Sequence, residues 1–126
     1  MSVVPTQYRP PIEVTFTFPE SLQVEVGFKD VTIRELNNAA ESQALSGAGQ
    51  DGSILIHNLV TSALVRATDM TGAVLQISRA DDSIDRFMTQ IGPKGRALVN
   101  VAYGAVNTPK KEETESFLRS AAGHTV

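Results

Sequence analysis

Residues 12–18 read IEVTFTF, so apolar and polar side chains alternate along them without a break. Alternation with a period of two is typical of a β-strand that buries one face. Pro19-Glu20-Ser21 then supplies a turn, because Pro fixes φ at its first corner. Residues 22–28, LQVEVGF, resume the alternation. Together the two segments predict an N-terminal β-hairpin.

The period of the pattern changes near Thr32. Thr32-Ile33-Arg34-Glu35 matches a capping box, in which the Thr hydroxyl accepts the N–H of Glu35 and the Glu carboxylate reaches back. This match predicts that a helix starts at Thr32 and ends before Gly47. Beyond it, apolar residues recur mostly at helical spacing, interrupted by Gly and Pro.

Helical spacing accounts for most of the remaining chain. The predicted helices cover residues 33–45, 54–68 and 94–107, with a short helix that starts at Asp81-Asp82 and a last one that starts at Thr108-Pro109. Gly92-Pro93 separates two of these helices, because Pro breaks a helix. Residues 73–77 fit either a further strand or an irregular connector. The pattern therefore predicts an α+β fold, with a small N-terminal antiparallel sheet followed by a bundle of four to five helices.

Composition divides the chain into three parts. Residues 1–11 contain three prolines and predict an extended arm, which is either a disordered terminus or a segment that lies on a neighbouring subunit. Residues 12–122 have the length of a single α+β domain. Residues 123–126 are expected to fray.

The charge and residue content exclude several classes of function. The formal net charge is −3, and the 11 basic residues are scattered, whereas phosphate binding needs a concentrated positive face. The chain has no Cys, and its two His are not at metal-binding spacing. The longest apolar stretch, residues 54–67, is interrupted by polar side chains and is too short to span a bilayer. We expect a soluble cytoplasmic protein without nucleic acid, membrane, metal or cofactor.

Two patterns in the sequence are found in functional sites, a dinucleotide-binding loop and a catalytic cluster, but each also has a purely structural explanation. Residues 47–52, GAGQDG, spell the glycine pattern of a dinucleotide-binding loop, but the residues before them predict a helix instead of the required strand. We therefore expect an interhelical loop. Catalysis would need a pocket that brings His57 together with Asp69 or with the carboxylates of residues 81–85. Acidic residues at the start of a helix are explained by the helix dipole, so the expectation is that the chain is not an enzyme.

Two stretches of the sequence resemble a known family. Residues 31–36, VTIREL, follow a β-rich start, and residues 96–117 contain RALV, AY and NTP, followed by Glu112-Glu113 and Phe117. In these stretches, which cover about a third of the chain, the sequence is similar to small tail assembly chaperones of contractile-tailed bacteriophages. The proline-rich arm and the loop at residues 47–52 depart from the pattern of that family.

The resemblance implies a non-enzymatic role in phage tail assembly. Proteins of this kind bind the long helical tape-measure protein in the host cytoplasm and keep it soluble until tube subunits polymerise around it. Because of the departures from the pattern, a structural tail or baseplate subunit that stays in the virion is the alternative.

Both roles need apolar or edge-strand surface that closes on a protein partner. For the chaperone, we expect a groove for an amphipathic segment that is formed by Leu98, Tyr103, Phe117 and Leu118, although these side chains could instead form the core. For the virion subunit, or for a homo-oligomer, we expect contacts through the arm at Tyr8 and through the second strand of the hairpin at Val24 and Val26.

Overall fold

A computed structural model of the chain describes residues 12–46 and 52–122, with side chains as far as residue 120. The predicted arm at residues 1–11, the loop at residues 47–51 and the tail at residues 123–126 lie outside the described residues. The elements are β1 (Glu13–Thr17), α1 (Glu20–Val26), β2 (Phe28–Arg34), α2 (Asn38–Ser46), α3 (Gly52–Ser62), β3 (Leu64–Asp69), β4 (Val74–Gln76), α4 (Ser83–Asn107) and α5 (Lys111–Ala122).

The predicted α+β class is confirmed. The four strands form an antiparallel sheet in the order β1-β2-β3-β4, and β1 is the strand that its alternation predicts. α4 packs against β2 and α1, which covers the apolar face of the sheet. The buried apolar side chains of the resulting core include Phe18, Val26, Phe28, Val31, Ile33, Val60, Leu64, Ala67, Phe87, Ile91 and Val99.

The predicted second strand at residues 22–28 is wrong, because most of this segment is helix α1. Leu22, Gln23 and Val26 lie at helical spacing and turn inward, whereas Val24 is 84% exposed. Gly27 ends the helix at φ 81°, a left-handed conformation that Gly adopts without strain. The alternation of Val24 and Val26, which are β-branched, favours a strand locally. Packing of Val26 against α4 stabilises the helix instead.

The predicted helix start at Thr32 is also wrong, since Thr32 lies in the central strand β2. Val31 and Ile33 are buried on the apolar face, and on the other face the Thr32 hydroxyl is 2.8 Å from that of Thr15. Helix α2 begins later, where the Asn37 side chain accepts the N–H of Ala40 at 2.8 Å as an N-cap. The hydroxyl of Thr32 therefore forms a hydrogen bond across the sheet and does not cap a helix.

The predicted helix at residues 54–68 is two elements. α3 ends at Ser62, and the following residues form β3 between β2 and β4. A continuous apolar run fits either a helix or a buried strand, and burial of Leu64 and Ala67 in the sheet selects the strand. Of the two alternatives left open for residues 73–77, the strand is correct, since β4 pairs with β3.

The C-terminal helices follow the predicted pattern with one shift. α4 is kinked at Gly92, whose φ of 69° is non-helical, and Pro93 begins its second half as predicted. Thr108 is extended, because a residue before Pro is disfavoured in the helical region. α5 therefore starts at Lys111 and not at Pro109, and the Glu113 carboxylate accepts the N–H of Lys110 at 2.8 Å.

Candidate protein-binding groove

An open groove of about 980 Å³ lies between β1, the end of α4 and the start of α5. Its apolar lining consists of Ile12, Val14, Phe16, Leu36, Val106 and Phe117. Polar groups of Glu35, Lys110 and Glu113 lie in the same wall. An apolar floor with a polar wall is typical of a site that receives an apolar segment of another chain.

A smaller hollow of about 230 Å³ adjoins this groove. The two share Phe16 and Ala105, and the hollow is lined further by Leu98 and Val101. Val101 is among the exposed large apolar side chains of the described residues. The groove and the hollow together form one apolar strip along β1 and the second half of α4, which we call the β1–α4 strip.

The β1–α4 strip is apolar because the strand period of β1 and the helical period of α4 both turn apolar side chains toward it. The alternation in β1 turns Val14 and Phe16 toward α4, whereas the intervening residues turn to the other face of the sheet. Along α4, Leu98, Ala102 and Val106 recur every fourth residue, so they lie on one side of the helix and face the sheet. The β1–α4 strip is thus the edge of the core, where apolar side chains are only partly buried.

Asn107 fixes the end of the groove. Its side-chain oxygen accepts the N–H of Leu36 at 2.8 Å, and its side-chain amide donates to the carbonyls of Arg34 and Tyr103 at 3.2 and 3.3 Å. These bonds join the last turn of α4 to the end of β2. Leu36, Val106 and Asn107 all line the groove.

α5 is the element with the least support from the rest of the molecule. All its side chains from Lys111 to Ser120 are exposed, although the helix is amphipathic. Phe117 is 74% exposed and lines the groove, and Leu118 is 60% exposed. An isolated helix of 12 residues is marginal in water, because most helices are stabilised by packing of an apolar face. α5 therefore offers a face that a partner can cover.

The structure places the predicted binding residues in different environments. Phe117 lines the groove, Leu98 lines the adjoining hollow, and Leu118 is exposed on α5. Tyr103 is partly buried against the core, and burial, with a smaller contribution from Glu41, raises the pKa of its hydroxyl.

The two residues predicted to act from the second strand need correction. Val26 is fully buried in the core, so it has no surface to offer, and Val24 is exposed on helix α1 instead of a strand. Their premise, a strand at residues 22–28, is wrong. Tyr8 lies outside the described residues.

Sequence reasoning missed that β1 and α5 share a groove. The alternation of Ile12, Val14 and Phe16 indicates that they share a face, but it carries no information about which helix reaches that face. The missed residues Leu36 and Asn107 lie within two segments predicted as separate helices, and hydrogen bonds of the Asn107 side chain with the main chain of Leu36 and Arg34 join these segments.

The groups considered for catalysis have structural roles or stand apart. His57 is exposed on α3. The Asp69 side chain accepts the hydroxyl of Thr71 at 2.6 Å, and this hydrogen bond, helped by main-chain N–H groups, lowers the pKa of the carboxyl. Bonds from Ser83 lower the pKa of Asp81 in the same way. Residues 12–46 and 52–122 contain no group of three or more His, Cys, Asp or Glu that could hold a metal ion.

A cleft of about 410 Å³ on another part of the surface contains two arginines. Arg34 donates two hydrogen bonds to the carbonyl of Ser62, at 3.2 and 3.0 Å, and Arg79 donates to the Ser62 hydroxyl at 2.6 Å. Ser62 ends α3, and cations at a helix C-terminus interact favourably with the helix dipole. The two guanidinium groups therefore stabilise a helix end.

The β1–α4 strip with α5 is thus the candidate site. Among the described helices, none has both the length and the hydropathy needed to cross a membrane. Comparison with protein-family models, with curated proteins and with solved structures gives no significant match. The groove combines an apolar lining with an exposed amphipathic helix beside it, features that are common in protein-binding sites.

Proposed function

We propose that this chain is a non-enzymatic protein-binding factor that holds an apolar segment of a partner in the groove between β1, α4 and α5. The observation that carries the proposal is the position of α5, an amphipathic helix whose Phe117 lines the groove while no side chain from Lys111 to Ser120 is buried. A partner segment in the groove would cover Phe117 and Ile12 at once. Burial of apolar surface supplies the driving force for such binding.

The shape and charge of the site favour a helical segment as the occupant. A helix with side chains is about 10–12 Å across and presents an apolar stripe, which suits an open groove lined by a strand on one side and helices on the other. The first turns of α5 carry Glu112, Glu113 and Glu115. A partner with basic residues beside its apolar stripe would complement this charge and associate faster.

The resemblance to tail assembly chaperones suggests which class of protein the partner belongs to. The tape-measure protein of a contractile-tailed phage is long and helical, and its apolar stripes are uncovered before the tube forms. We propose that the groove covers one such stripe in the host cytoplasm until tube subunits replace it. The uncovered face of α5 supports this proposal, because a transient complex needs apolar surface that the free protein tolerates in water.

The alternative is a structural subunit of the tail or baseplate. The position of β1 at the end of the strand order among the described residues supports it, because edge strands join neighbouring subunits by adding to a sheet. Mass spectrometry of purified particles and of the infected-cell lysate separates the two roles. The chaperone is abundant in the lysate and absent from finished particles, whereas the structural subunit is present in particles in fixed stoichiometry.

Binding is tested by co-expression with fragments of the tape-measure protein of a contractile-tailed phage. Replacement Phe117→Ser should weaken binding of the recognised fragment about thirtyfold or more, because loss of a central aromatic anchor costs about 2 kcal/mol or more. Val24→Ser is the matched control, since Val24 is also exposed and apolar but lies on α1, outside the groove. It should change the affinity less than twofold.

Two results would contradict the proposed function. One is equal loss of binding in the Phe117 and Val24 variants, which would indicate a general effect of surface hydrophobicity. The other is that no tape-measure fragment co-purifies with the wild-type chain.

A further inference from the structure

The inner edge of β1 is fully used by the sheet. Glu35 donates its N–H to the carbonyl of Ile12, and Phe18 donates its N–H to the carbonyl of Lys29. The even-numbered residues of this segment therefore direct their main-chain groups toward β2. The pairing with β2 is regular along the whole of β1.

The outer edge of β1 carries the remaining main-chain groups. In an antiparallel ladder the direction of the N–H and C=O groups alternates from residue to residue, so those of Glu13, Thr15 and Thr17 point away from β2. β1 stands at the end of the strand order among the described residues. Within Glu13–Thr17 it contains no Pro, Lys or bulge, three of the features with which proteins protect an edge from pairing.

We propose that β1 pairs antiparallel with β1 of a second copy of the chain, with Thr15 on the two-fold axis. Thr15 then faces Thr15, and Glu13 of each copy faces Thr17 of the other. Each of these three residue pairs exchanges two main-chain hydrogen bonds, so every outward group of both strands finds a partner.

Among the registers that place an outward-facing residue of β1 on the axis, charge and side-chain chemistry favour this one. An axis at Glu13 would set two carboxylates directly opposite each other, which is destabilising. An axis at Thr17 would set Thr15 opposite Pro19, which has no N–H to donate. With the axis at Thr15, Val14 and Phe16 of the two copies meet on the apolar face, and apolar cross-strand pairs stabilise a sheet. The edge is thus complementary to itself.

The dimer would change the shape of the candidate site. A two-fold axis perpendicular to the sheet keeps the β1–α4 strips of both copies on the same side of an eight-stranded sheet. The strips would meet at the axis and form one apolar surface, which fits a longer helical segment than one copy can hold. The pairing itself needs no partner protein, so it stands or fails separately from the proposed function.

Single-cysteine variants test the register, because the chain has no Cys of its own. Thr15→Cys should form a disulfide-linked dimer on mild oxidation, since facing residues of a hydrogen-bonded pair have Cα atoms about 5.5 Å apart, within disulfide range. Thr17→Cys is the matched control on the same strand and the same face, and should not cross-link by itself. A mixture of Glu13→Cys and Thr17→Cys chains should cross-link to each other.

Sedimentation of the full chain in the absence of any partner tests the dimer itself. Thr17→Pro removes an outward N–H and leaves the hydrogen bonds to β2 intact, so it should weaken dimerisation about tenfold or more without changing the circular dichroism. A wild-type chain that is monomeric at all concentrations would overturn the proposal, whether the edge is covered by its own chain or open to another protein. Cross-linking through Thr17→Cys alone would overturn the register.

Discussion

At the scale of single residues, two glycines of α4 show how differently the same residue type is constrained. A Cβ on Gly95 would lie 2.5 Å from the Cβ of Ile91 and 3.2 Å from a methyl carbon of Val26, so α4 and α1 approach each other there because Gly95 has no side chain. A Cβ on Gly104 would meet nothing within 4 Å. Both glycines lie in the second half of the helix.

Replacement of each glycine by Ala should therefore change stability in opposite directions. Gly95→Ala should lower the free energy of unfolding by about 1–3 kcal/mol, because an added methyl group overpacks the core. Gly104→Ala should raise it by about 0.5–1 kcal/mol, because Ala loses less backbone entropy in a helix. Urea denaturation of both variants measures the two changes. If Gly95→Ala is as stable as wild type, the close approach of α1 and α4 is not as described.

At the scale of elements, the sequence predicted what neighbouring residues decide and missed what distant residues decide. The alternation of β1 and the break at Gly92-Pro93 depend on adjacent residues, and both are confirmed. Residues 22–26 and 64–68 were assigned to the wrong type of element, because their local preferences are overridden by packing of Val26 on α4 and of Ala67 in the sheet.

The candidate site follows the same rule. The sequence singled out Leu98 on α4 and Phe117 on α5, but it did not predict that β1 lines the same groove and hollow. That wall depends on which strands pair, and the pairing joins residues up to 21 positions apart, such as Glu13 and Arg34. A periodic pattern identifies a face and cannot identify its neighbour.

Asn107 joins α4 to β2, so its replacement tests how the elements hold the groove. Asn107→Ala removes the acceptor for the N–H of Leu36 and should lower the free energy of unfolding by about 1–3 kcal/mol. Asn100→Ala is the matched control, because Asn100 is exposed on the same helix. It should change stability by less than about 0.5 kcal/mol. Thermal unfolding compares the two, and equal effects would show that the bond to Leu36 contributes nothing.

At the scale of the whole molecule, helix α5, which we propose to contact the partner, is distinct from the core. The core lies between the sheet, α1 and α4, and α5 contributes no buried side chain from Lys111 to Ser120. Stability and partner binding should therefore respond to different residues.

A chain that ends at Pro109 tests this separation. It should unfold at a temperature within a few degrees of the full chain, because every described side chain of the deleted helix, from Lys111 to Ser120, is exposed. It should also lose most of its affinity for the partner segment, because Phe117 is removed from the groove. Calorimetry of unfolding and of binding measures both. A large fall in the unfolding temperature would mean that α5 belongs to the core after all.

The connection between α4 and α5 is only three residues long, from Thr108 to Lys110. A second contact on so short a tether meets an already bound segment at a high effective concentration, on the order of millimolar for short linkers. Even a weak attraction between α5 and the segment would then prolong the lifetime of the complex. If the groove holds a partner segment as proposed, insertion of flexible residues between Thr108 and Lys110 should shorten the lifetime of the complex, although the apolar side chains of β1, α4 and α5 stay the same.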